Sequence, residues 1–510
     1  MLSVHNDACT PNVGESWSRV RLPVMEKRSE VSGATPRPPA SAKQLNRRVT
    51  ALAVAAAIGG FLFGFDSSVI NGAVNSITKT FGIPEAASGI TVASALIGCA
   101  VGAYAGGRMA DRWGRIRVMF IASILFFVSS IFAGLAFATW DFIIWRLVGG
   151  LGIGIASVIA PAYISEVSPQ AIRGRLGSFQ QLAITLGIFA ALLSDQIFAV
   201  TAGSADAMLG PIPAWRWMFI VGVVPSVVYG VLALRLPESP RYLAAEGRND
   251  EAREVLSQIV PTETVETSLH DINDAIETEA KLTKKSSIRG SRFGLQPIVW
   301  IGIILAIFQQ FVGINVIFYY STTLWQAVGF KESDSFTIST ITSVVNVAVT
   351  FVAILLVDKV GRRPMLLAGS IGMTVSLGFM AIAFSQADIV NGNPSLPGAW
   401  GIVALIAANL FVISFGATWG PLMWVLLGEM FPPSIRAAAL GVGSAANWIA
   451  NFVVTVTFPV LSSVNLTLTY GIYALFALLS FVFVLAKIKE TKGRSLEDMG
   501  KDAVTSTSRA

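Results

Sequence analysis

The sequence contains few charged residues, few cysteines and few histidines. Of its 510 residues only 13% are charged, 53% are hydrophobic, and the mean hydropathy is +0.65. A soluble globular chain carries about 25% charged residues, and a folded domain of this size still needs a largely polar surface. The composition therefore excludes a soluble protein and predicts an integral membrane protein, with enough apolar residues for about a dozen spans of roughly 20 residues each.

The scarcity of cysteine and histidine excludes several kinds of site. Cys9 stands in a polar N-terminal stretch and Cys99 in an apolar run, so neither a disulfide framework nor a cysteine-based metal site is expected. His5 and His270 both lie in polar segments. Proton chemistry inside the membrane must therefore use carboxylates. We expect neither a metal ion nor a cofactor.

Twelve apolar runs of span length occur in two groups of six. Because a backbone in lipid must satisfy its own hydrogen bonds, and because the ten-residue alternation of a membrane β-barrel is missing from the sequence, the runs are predicted to be helices. The predicted fold class is an all-α membrane protein with twelve transmembrane helices in two six-helix repeats. The predicted domains are a disordered cytoplasmic tail (1–46), an N-terminal six-helix half (47–236), a cytoplasmic linker with short helices (237–296), a C-terminal six-helix half (297–487) and a cytoplasmic tail (488–510).

The basic residues are concentrated on one side of the predicted membrane. Of the 37 lysines and arginines, 33 lie in the two tails, in the linker or in the loops on the same side as these. By the positive-inside rule this side, with both termini, is cytoplasmic. The basic isoelectric point, about 9.3, is therefore a signal of topology, and nucleic acid is excluded as a partner. Asp195 and Arg216 stand near the outer ends of their spans and are expected to be solvated.

The linker contains two short amphipathic patterns. Ala252, Val255, Leu256 and Ile259 form one apolar face after Asn249, and a similar face follows further along. Such helices are expected to lie against the cytoplasmic ends of the bundle. A partner-binding module is the alternative interpretation.

The two halves contain matching segments. The eight residues from Glu166 to Arg173 match those from Glu429 to Arg436, and both segments follow the fourth span of their half. The segment 111–115 likewise matches 358–362, in the loop after the second span of each half. Parallel repeats of this kind are typical of secondary transporters, in which the substrate site lies between the halves near the middle of the membrane.

Eight motifs in order give the sequence a family resemblance over about residues 47–495. They are Gly64-Phe-Asp66, the 111–115 loop, Arg146, Pro237-Glu-Ser-Pro-Arg241, Gln309-Gln-Phe-Val-Gly-Ile-Asn315, Gly361-Arg-Arg363, Trp419-Gly-Pro-Leu-Met-Trp424 and Glu490-Thr-Lys-Gly-Arg494. Together they resemble the sugar porter family of the major facilitator superfamily, in particular its bacterial sugar/proton symporters. The resemblance implies a twelve-helix transporter that exposes a sugar site alternately to the two sides of the membrane.

Asp66 and Arg146 are candidates for proton coupling. An aspartate in the middle of a span costs about 2.5 to 3.5 kcal/mol unless it is neutral or paired, and Arg146 on span 4 is the expected partner. A low dielectric favours the neutral acid and the guanidinium favours the carboxylate, so opening to opposite sides of the membrane would shift the balance. The resemblance adds that proton-coupled members have aspartate at this position, whereas facilitative members have asparagine. A static salt bridge is the alternative.

Amide side chains on the spans are candidates for sugar binding, because one amide both donates to and accepts from a hydroxyl, while aromatic faces suit the apolar face of the ring. The alternative for each amide is a hydrogen bond between helices. Tyr319 and Trp448 are additional candidates. Gly313 is expected to let span 7 bend, with Asn315 and Tyr319 then sharing one helix face. The resemblance places sugar contacts on Gln181, Gln309, Gln310, Asn315, Asn346, Gly420, Trp424 and Asn447.

A third set of polar residues stands at the cytoplasmic ends of the helices. We expect these residues to form a charge network that closes the cytoplasmic side in the outward-facing state and breaks on inward opening. Positive-inside anchoring is the alternative. The residues of this predicted cytoplasmic gate are Asp111, Arg112, Arg115, Glu166, Arg173, Asp358, Arg362, Arg363, Glu429 and Arg436.

These observations predict a secondary transporter that imports a monosaccharide, a hexose such as glucose, together with a proton. A facilitative uniporter, an inositol or pentose proton symporter and a membrane sugar sensor are the alternatives. The sequence has no catalytic constellation and no Walker A motif. The glycines from Gly149 to Gly154 do not form a dinucleotide-binding turn, because they follow no strand. We expect sugar, protons and the lipid bilayer as partners, no nucleotide, and a location in a bacterial inner membrane. The oligomeric state is not readable from the sequence.

Overall fold

A computed structural model describes residues 42–492 apart from 170–171, 284–287, 291–293, 391–392 and 432–434. In this part of the chain, twelve helical segments are long and apolar enough to cross a membrane. The predicted all-α fold with twelve spans is confirmed. The first helix begins at Ala42, inside the segment predicted as a tail to residue 46, and the remaining residues of both predicted tails lie outside the described ranges.

The N-terminal half contains six spans, of which the sixth is interrupted at Gly222. A short antiparallel β-hairpin, with two residues in each strand, precedes this sixth span. The elements are α1 (Ala42–Phe81), α2 (Glu85–Trp113), α3 (Arg115–Leu135), α4 (Thr139–Val167), α5 (Arg173–Ala202), β1 (Met208–Leu209), β2 (Ile212–Pro213), α6 (Ala214–Ile220) and α7 (Val223–Ala233).

In its described residues, the linker forms three helices and one short 3₁₀ turn at 262–264. As predicted, its second helix buries Ala252, Val255, Leu256 and Ile259, and this helix also contacts α1. Asn249 is the first residue of this helix, and Arg248 stands at its N-cap. The linker helices are α8 (Pro240–Ala245), α9 (Asn249–Ile259) and α10 (Val265–Thr283).

The C-terminal half repeats the six spans, but two of them are broken near their middle. Span 7 consists of α11, α12 and α13, and span 10 consists of α16 and α17. A second antiparallel hairpin lies between spans 9 and 10. The elements are α11 (Pro297–Phe311), α12 (Ile314–Tyr319), α13 (Ser321–Ala327), α14 (Glu332–Val360), α15 (Arg362–Ser385), β3 (Asp388–Val390), β4 (Asn393–Ser395), α16 (Trp400–Gly416), α17 (Trp419–Met430), α18 (Arg436–Val464) and α19 (Leu466–Lys487).

Two names are used below for the ends of the bundle. The linker end is the one at which α2 ends and α3 begins, close to the linker helices. The distal end is the opposite one, at which α1 ends and α2 begins.

Two charged residues that were expected to be solvated are bonded to backbone groups of neighbouring helices or loops, and one of them is buried. Asp195 on α5 is fully buried, and its carboxylate contacts the backbone of Gly72 on α1. Arg216 on α6 is half-buried and donates hydrogen bonds to the carbonyl groups of Gly134 and Ala136, at 2.9 and 2.7 Å. The expectation failed because position along a span does not reveal whether a side chain points towards lipid, water or a neighbouring helix.

Close packing of α2 against α4 depends on small residues, which include Gly98, Gly102 and Gly106. A Cβ atom on Gly102 would lie 3.0 Å from the Cα atom of Leu151, whereas a Cβ atom on Gly107 would meet nothing within 4 Å. Helices in lipid gain most of their association from such contacts, because lipid chains are as apolar as the side chains.

We predict that Gly102→Val destabilises the protein while Gly107→Val does not. Valine at 102 must displace the backbone of α4, and overpacking of this kind costs about 1 to 3 kcal/mol. Thermal unfolding in detergent measures the difference. Gly107→Val carries the same propensity change in the same helix, so equal loss of stability in both variants would contradict the packing interpretation.

Candidate functional site

Asp66 and Arg146 form a buried ion pair between α1 and α4. The aspartate is 5% exposed and the arginine 2%. Arg146 Nη1 lies 2.5 Å from Asp66 Oδ1, and Arg146 Nη2 donates to the backbone carbonyl of Asp66 at 3.3 Å. The guanidinium carbon also lies 5.8 Å from the centre of the Phe219 ring. The structure therefore brings together the two residues that the sequence paired, and it surrounds them with apolar groups.

The ion pair lines a crevice that both halves of the chain share. Asp66, Arg146 and Cys99 come from the N-terminal half, and Tyr319 comes from α12 of the C-terminal half. The Tyr319 hydroxyl accepts a hydrogen bond from Asn451 Nδ2 at 3.5 Å. The crevice thus connects the buried carboxylate to polar residues of the other half.

Four of the predicted sugar-binding amides form one hydrogen-bonded cluster in the C-terminal half. Asn447 Nδ2 donates to Gln309 Oε1 at 2.7 Å, and Asn447 Oδ1 accepts from Gln310 Nε2 at 3.1 Å. Asn315 Nδ2 donates to Gln310 Oε1 at 2.7 Å. Gln309 Nε2 in turn donates to the carbonyl groups of Trp419 and Gly420, both at 3.2 Å.

The break in span 7 positions this cluster. Gly313 has φ +82°, in the left-handed region, and stands between α11 and α12. The Tyr473 ring occupies the space that a side chain at 313 would need, with its nearest atom 2.7 Å from the position of a Cβ. Only glycine suits both conditions. The bend predicted at Gly313 is confirmed, and it carries Asn315 towards Gln310 while Tyr319 faces the crevice.

The other predicted sugar-site residues lie outside the amide cluster. Gln181 on α5 is half-buried, and the Asn346 side chain lies beside Gly416, whose Cβ would be 3.1 Å from Asn346 Oδ1. Trp424 is 40% exposed. Trp448 is buried and packs edge-on against Phe63 of the other half, with the ring centres 5.3 Å apart.

Contacts between the halves close the distal end. Asn71 on α1 accepts from the backbone N–H of Thr322 on α13 at 2.9 Å. Asn75 Nδ2 donates to Gln326 Oε1 at 3.1 Å. The carboxylate of Glu332 accepts from the backbone N–H of residue 205 at 2.9 Å. The structure is therefore that of a bundle shut at its distal end.

At the linker end of the N-terminal half, charged residues bond within their own half. Arg115 makes a bidentate pair with Glu166, at 3.0 and 2.9 Å, and a longer contact with Asp111 at 3.4 Å. Glu238, which follows span 6, accepts from the backbone N–H groups of Arg115 and Ile116 at 2.9 and 3.3 Å. Charge-assisted bonds to a helix N-terminus are favourable because they also meet the positive end of the helix dipole.

The C-terminal half repeats this arrangement. Arg362 pairs with Glu429 at 3.2 and 2.9 Å, and Glu490 accepts from the backbone N–H groups of Arg362 and Arg363 at 3.0 and 2.9 Å. Partial burial opposes the charged form of Glu490, but bonds from four backbone N–H groups outweigh it and hold the pKa of this carboxyl below its usual value. Glycines with positive φ, Gly114 and Gly361, precede the two capped helices.

Two further gate residues make bonds to backbone carbonyl groups or through their own, and the side chains of three others are not described. Arg112 is exposed, and its carbonyl accepts from the Tyr242 hydroxyl at 3.5 Å. The Arg363 side chain donates to the Leu485 carbonyl at 3.0 Å. The side chains of Arg173, Asp358 and Arg436 lie outside the described residues.

Sequence reasoning missed the roles of Glu238 and Glu490. Both stand in motifs that carried the family resemblance, and both follow the last span of their half. The internal repeat extends to them, because each is a glutamate followed by Ser or Thr after the sixth span. That correspondence was the available signal, but it could not show that the carboxylates reach back to α3 and α15.

The chain has clear relatives among known proteins. The family model described as "Sugar (and other) transporter" matches residues 52–503. A glucose transport protein of Synechocystis is 52% identical over 447 residues, which cover 87% of this chain and 95% of the relative. The D-xylose-proton symporter of Escherichia coli is 35% identical, with coverage of 88% and 95%.

Solved structures have the same fold. The inward-open conformation of the xylose transporter of E. coli matches with a TM-score of 0.75 and 33% identity, covering 89% of this chain and 99% of that one. The same transporter bound to 6-bromo-6-deoxy-D-glucose, described as a proton:xylose symporter, matches with a TM-score of 0.74. The chain is a multi-pass membrane protein, and it belongs to the sugar transporter family of the major facilitator superfamily.

Proposed function

We propose that this protein imports a hexose together with a proton by alternating access. The observation that carries the proposal is the crevice in which the buried pair of Asp66 and Arg146 meets Tyr319 of the other half. A titratable carboxylate and the helix that carries Asn315 therefore border one space. A change in the protonation of Asp66 in one half can therefore affect the half that contains the amide cluster.

The choice of a hexose as substrate is supported by the relatives. The protein that is 52% identical is named as a glucose transport protein, and a second relative, 37% identical, is a glucose transporter of Staphylococcus epidermidis. The choice of a proton as the coupled ion is supported by the D-xylose-proton symporter and by an arabinose-proton symporter of Bacillus subtilis, 34% identical.

In the proposed mechanism, the amide cluster binds the sugar. The amides already bond to one another, so their geometry is preorganised, and sugar hydroxyls replace bonds among Gln309, Gln310 and Asn447 one for one. Gln181, Asn346 and Trp424 are proposed to complete the site from α5, α14 and α17. Tyr319 and Trp448 contact both halves. They are proposed to change position when sugar binds and so to alter the crevice around Asp66.

Protonation of Asp66 is proposed to free the two halves to move. With Asp66 charged, its bond to Arg146 holds α1 against α4. A proton on Asp66 removes the charge that attracts the guanidinium, so that α1 can shift relative to α4 as the halves rock. One charge that crosses a potential of about 100 mV contributes about 2.3 kcal/mol, and one pH unit contributes about 1.4 kcal/mol. One proton per sugar therefore supports accumulation of several hundredfold.

The linker end is proposed to face the cytoplasm of a bacterial cell, with both termini on that side. The distribution of 33 of 37 basic residues supports this orientation. In the structure the distal contacts are closed, while Arg115 and Arg362 each bond within their own half. This arrangement corresponds to an inward-facing state. The predicted closure of the linker end by a charge network between the halves belongs to the opposite state.

We predict that Asp66→Asn abolishes sugar accumulation driven by a pH gradient but leaves counterflow exchange. An amide at this position cannot take up and release a proton, whereas sugar binding and rocking of the halves do not need net proton movement. Uptake and counterflow of labelled glucose in proteoliposomes, together with alkalinisation of the medium on sugar addition, measure both activities. Asp141→Asn, on the helix of Arg146 but hydrogen-bonded to Trp145, is the control and should accumulate normally. Full accumulation by Asp66→Asn would exclude Asp66 as the coupling residue.

We also predict that Asn447→Ala raises the KM for glucose counterflow about tenfold or more. In the proposed site the Asn447 amide bonds to sugar hydroxyls, and its loss leaves a buried hydroxyl of the bound sugar unsatisfied, at a cost of about 1 to 3 kcal/mol. Asn409→Ala is the matched control, because Asn409 Nδ2 bonds to the Leu405 carbonyl of its own helix at 2.9 Å. Equal KM values for the two variants would remove the amide cluster from the sugar site.

A further inference from the structure

A second buried carboxyl group lies away from the pair of Asp66 and Arg146. Asp195 on α5 has a relative exposure of 0% and lies within a membrane-spanning segment. Its Oδ2 atom accepts one hydrogen bond, from the backbone N–H of Gly72 on α1, at 3.2 Å. Its Oδ1 atom is buried and has no hydrogen-bond partner among the described residues. A Cβ atom at 72 would lie 2.8 Å from this carboxyl group, so α1 and α5 approach closely here.

The charged groups on or next to the distal parts of the helices that pack against α5 either have other partners or are exposed. These helices are α1, α4, α6 and α14. Two of these groups are in salt bridges, Arg146 with Asp66 and Lys79 with Asp206. Three others are hydrogen-bonded: Arg216 to two carbonyl groups, Asp141 to Trp145 and Glu332 to the N–H of Ala205. Lys331 and Asp334 are exposed. Arg173 and Arg175 stand at the other end of α5, and their side chains lie outside the described part. In that part of the chain, no cation pairs with Asp195.

A carboxylate in this position would be costly. Removing an ion from water costs several kcal/mol even after relaxation, and one neutral N–H donor repays only part of that cost. A buried group without a counter-charge takes up a proton instead of remaining ionised. Asp195 is therefore the neutral acid in this state of the protein.

Asp195 lies beside contacts that close the distal end. One turn before it, the Leu192 carbonyl accepts from Thr340 of α14 at 3.4 Å, and one residue after it, Gln196 donates to Thr337 at 3.0 Å. On the α1 side, the neighbour of Gly72 is Asn71, which bonds to α13. These bonds join the two halves. Parting of the halves at the distal end would break the bonds on both sides of Asp195 and would give water a route to its carboxyl group from that end.

We propose that Asp195 is a second proton-binding site, which takes up a proton from the distal side before the distal end closes and returns it to the same side when that end opens. The only bond that forms and breaks is the O–H bond of the carboxyl group, and no net charge crosses the membrane. Asp195 thus sets the pH at which the distal end closes, whereas Asp66 carries the transported proton. The proposal rests on the alternating-access part of the proposed function, but not on the identity of the sugar or on proton coupling.

Spin labels on opposite halves test this proposal without any transport measurement. Phe137→Cys and Leu468→Cys place labels at exposed distal positions of the two halves, in a background of Cys9→Ser and Cys99→Ala. Pulsed electron paramagnetic resonance in nanodiscs then gives the distribution of distances between the two labels, from about pH 5 to about pH 9. A carboxyl group that is buried in one state and exposed to water in the other titrates in this range. The labelled protein with Asp195 intact is expected to shift towards longer distances as the pH rises. Asp195→Asn, which is neutral at every pH, is expected to keep the short distance throughout, as is Asp195→Ala.

Two measures separate this site from other titrating groups. Asp66→Asn is present in every labelled protein, so that the transported-proton site does not contribute to the pH-dependent shift. Asp334→Asn removes an exposed distal carboxyl and should keep that shift. The proposal is overturned if the protein with Asp195 intact shows no shift, or if Asp195→Asn shifts with pH as that protein does. Such a result would leave the predicted effect of Asp66→Asn on accumulation untouched, so the two proposals fail independently.

Discussion

Hydrogen bonding in the absence of water is the constraint on which this structure depends. Inside a bilayer every backbone N–H and C=O must find a protein partner, so spans are helices and a break is tolerated only where it lines a polar site. Spans 7 and 10 are both broken, at Gly313 and before Trp419. The Gln309 side chain ties the two breaks together by donating to the carbonyl groups of Trp419 and Gly420. The same amides that stabilise the interrupted backbone are thus the ones proposed to bind the sugar.

The same constraint gives two buried carboxyl groups different properties. Asp66 has a guanidinium within hydrogen-bond distance, while Asp195 has one backbone N–H and no cation among the described residues. A paired acid can alternate between charged and neutral forms within the bundle, whereas an unpaired acid must exchange its proton when the surrounding contacts open. Their positions differ accordingly, because Asp66 borders the crevice between the halves and Asp195 lies beside the distal contacts.

The internal repeat extends further than matching segments of sequence. In each half an arginine pairs with a glutamate in the last turn of the fourth span, and a second glutamate, Glu238 or Glu490, caps the helix that carries this arginine. A glycine with positive φ precedes each capped helix, at 114 and at 361. A side chain at either position would also meet the capping carboxylate. These duplicated ion pairs and helix caps hold each half together at the linker end while, in the proposed mechanism, the halves move relative to one another.

Composition and periodicity by themselves determined the membrane class, the twelve spans and the division into two halves, because transfer of residues into lipid depends on the residue types in a run and not on their neighbours in space. The scarcity of charge within spans also singled out Asp66 and Arg146 as a pair. Tertiary structure alone decided which amides meet, how Glu238 and Glu490 are used, and that Asp195 is buried. These features depend on the rotation of each helix about its own axis, which side-chain packing sets and which the order of residues along one span does not reveal.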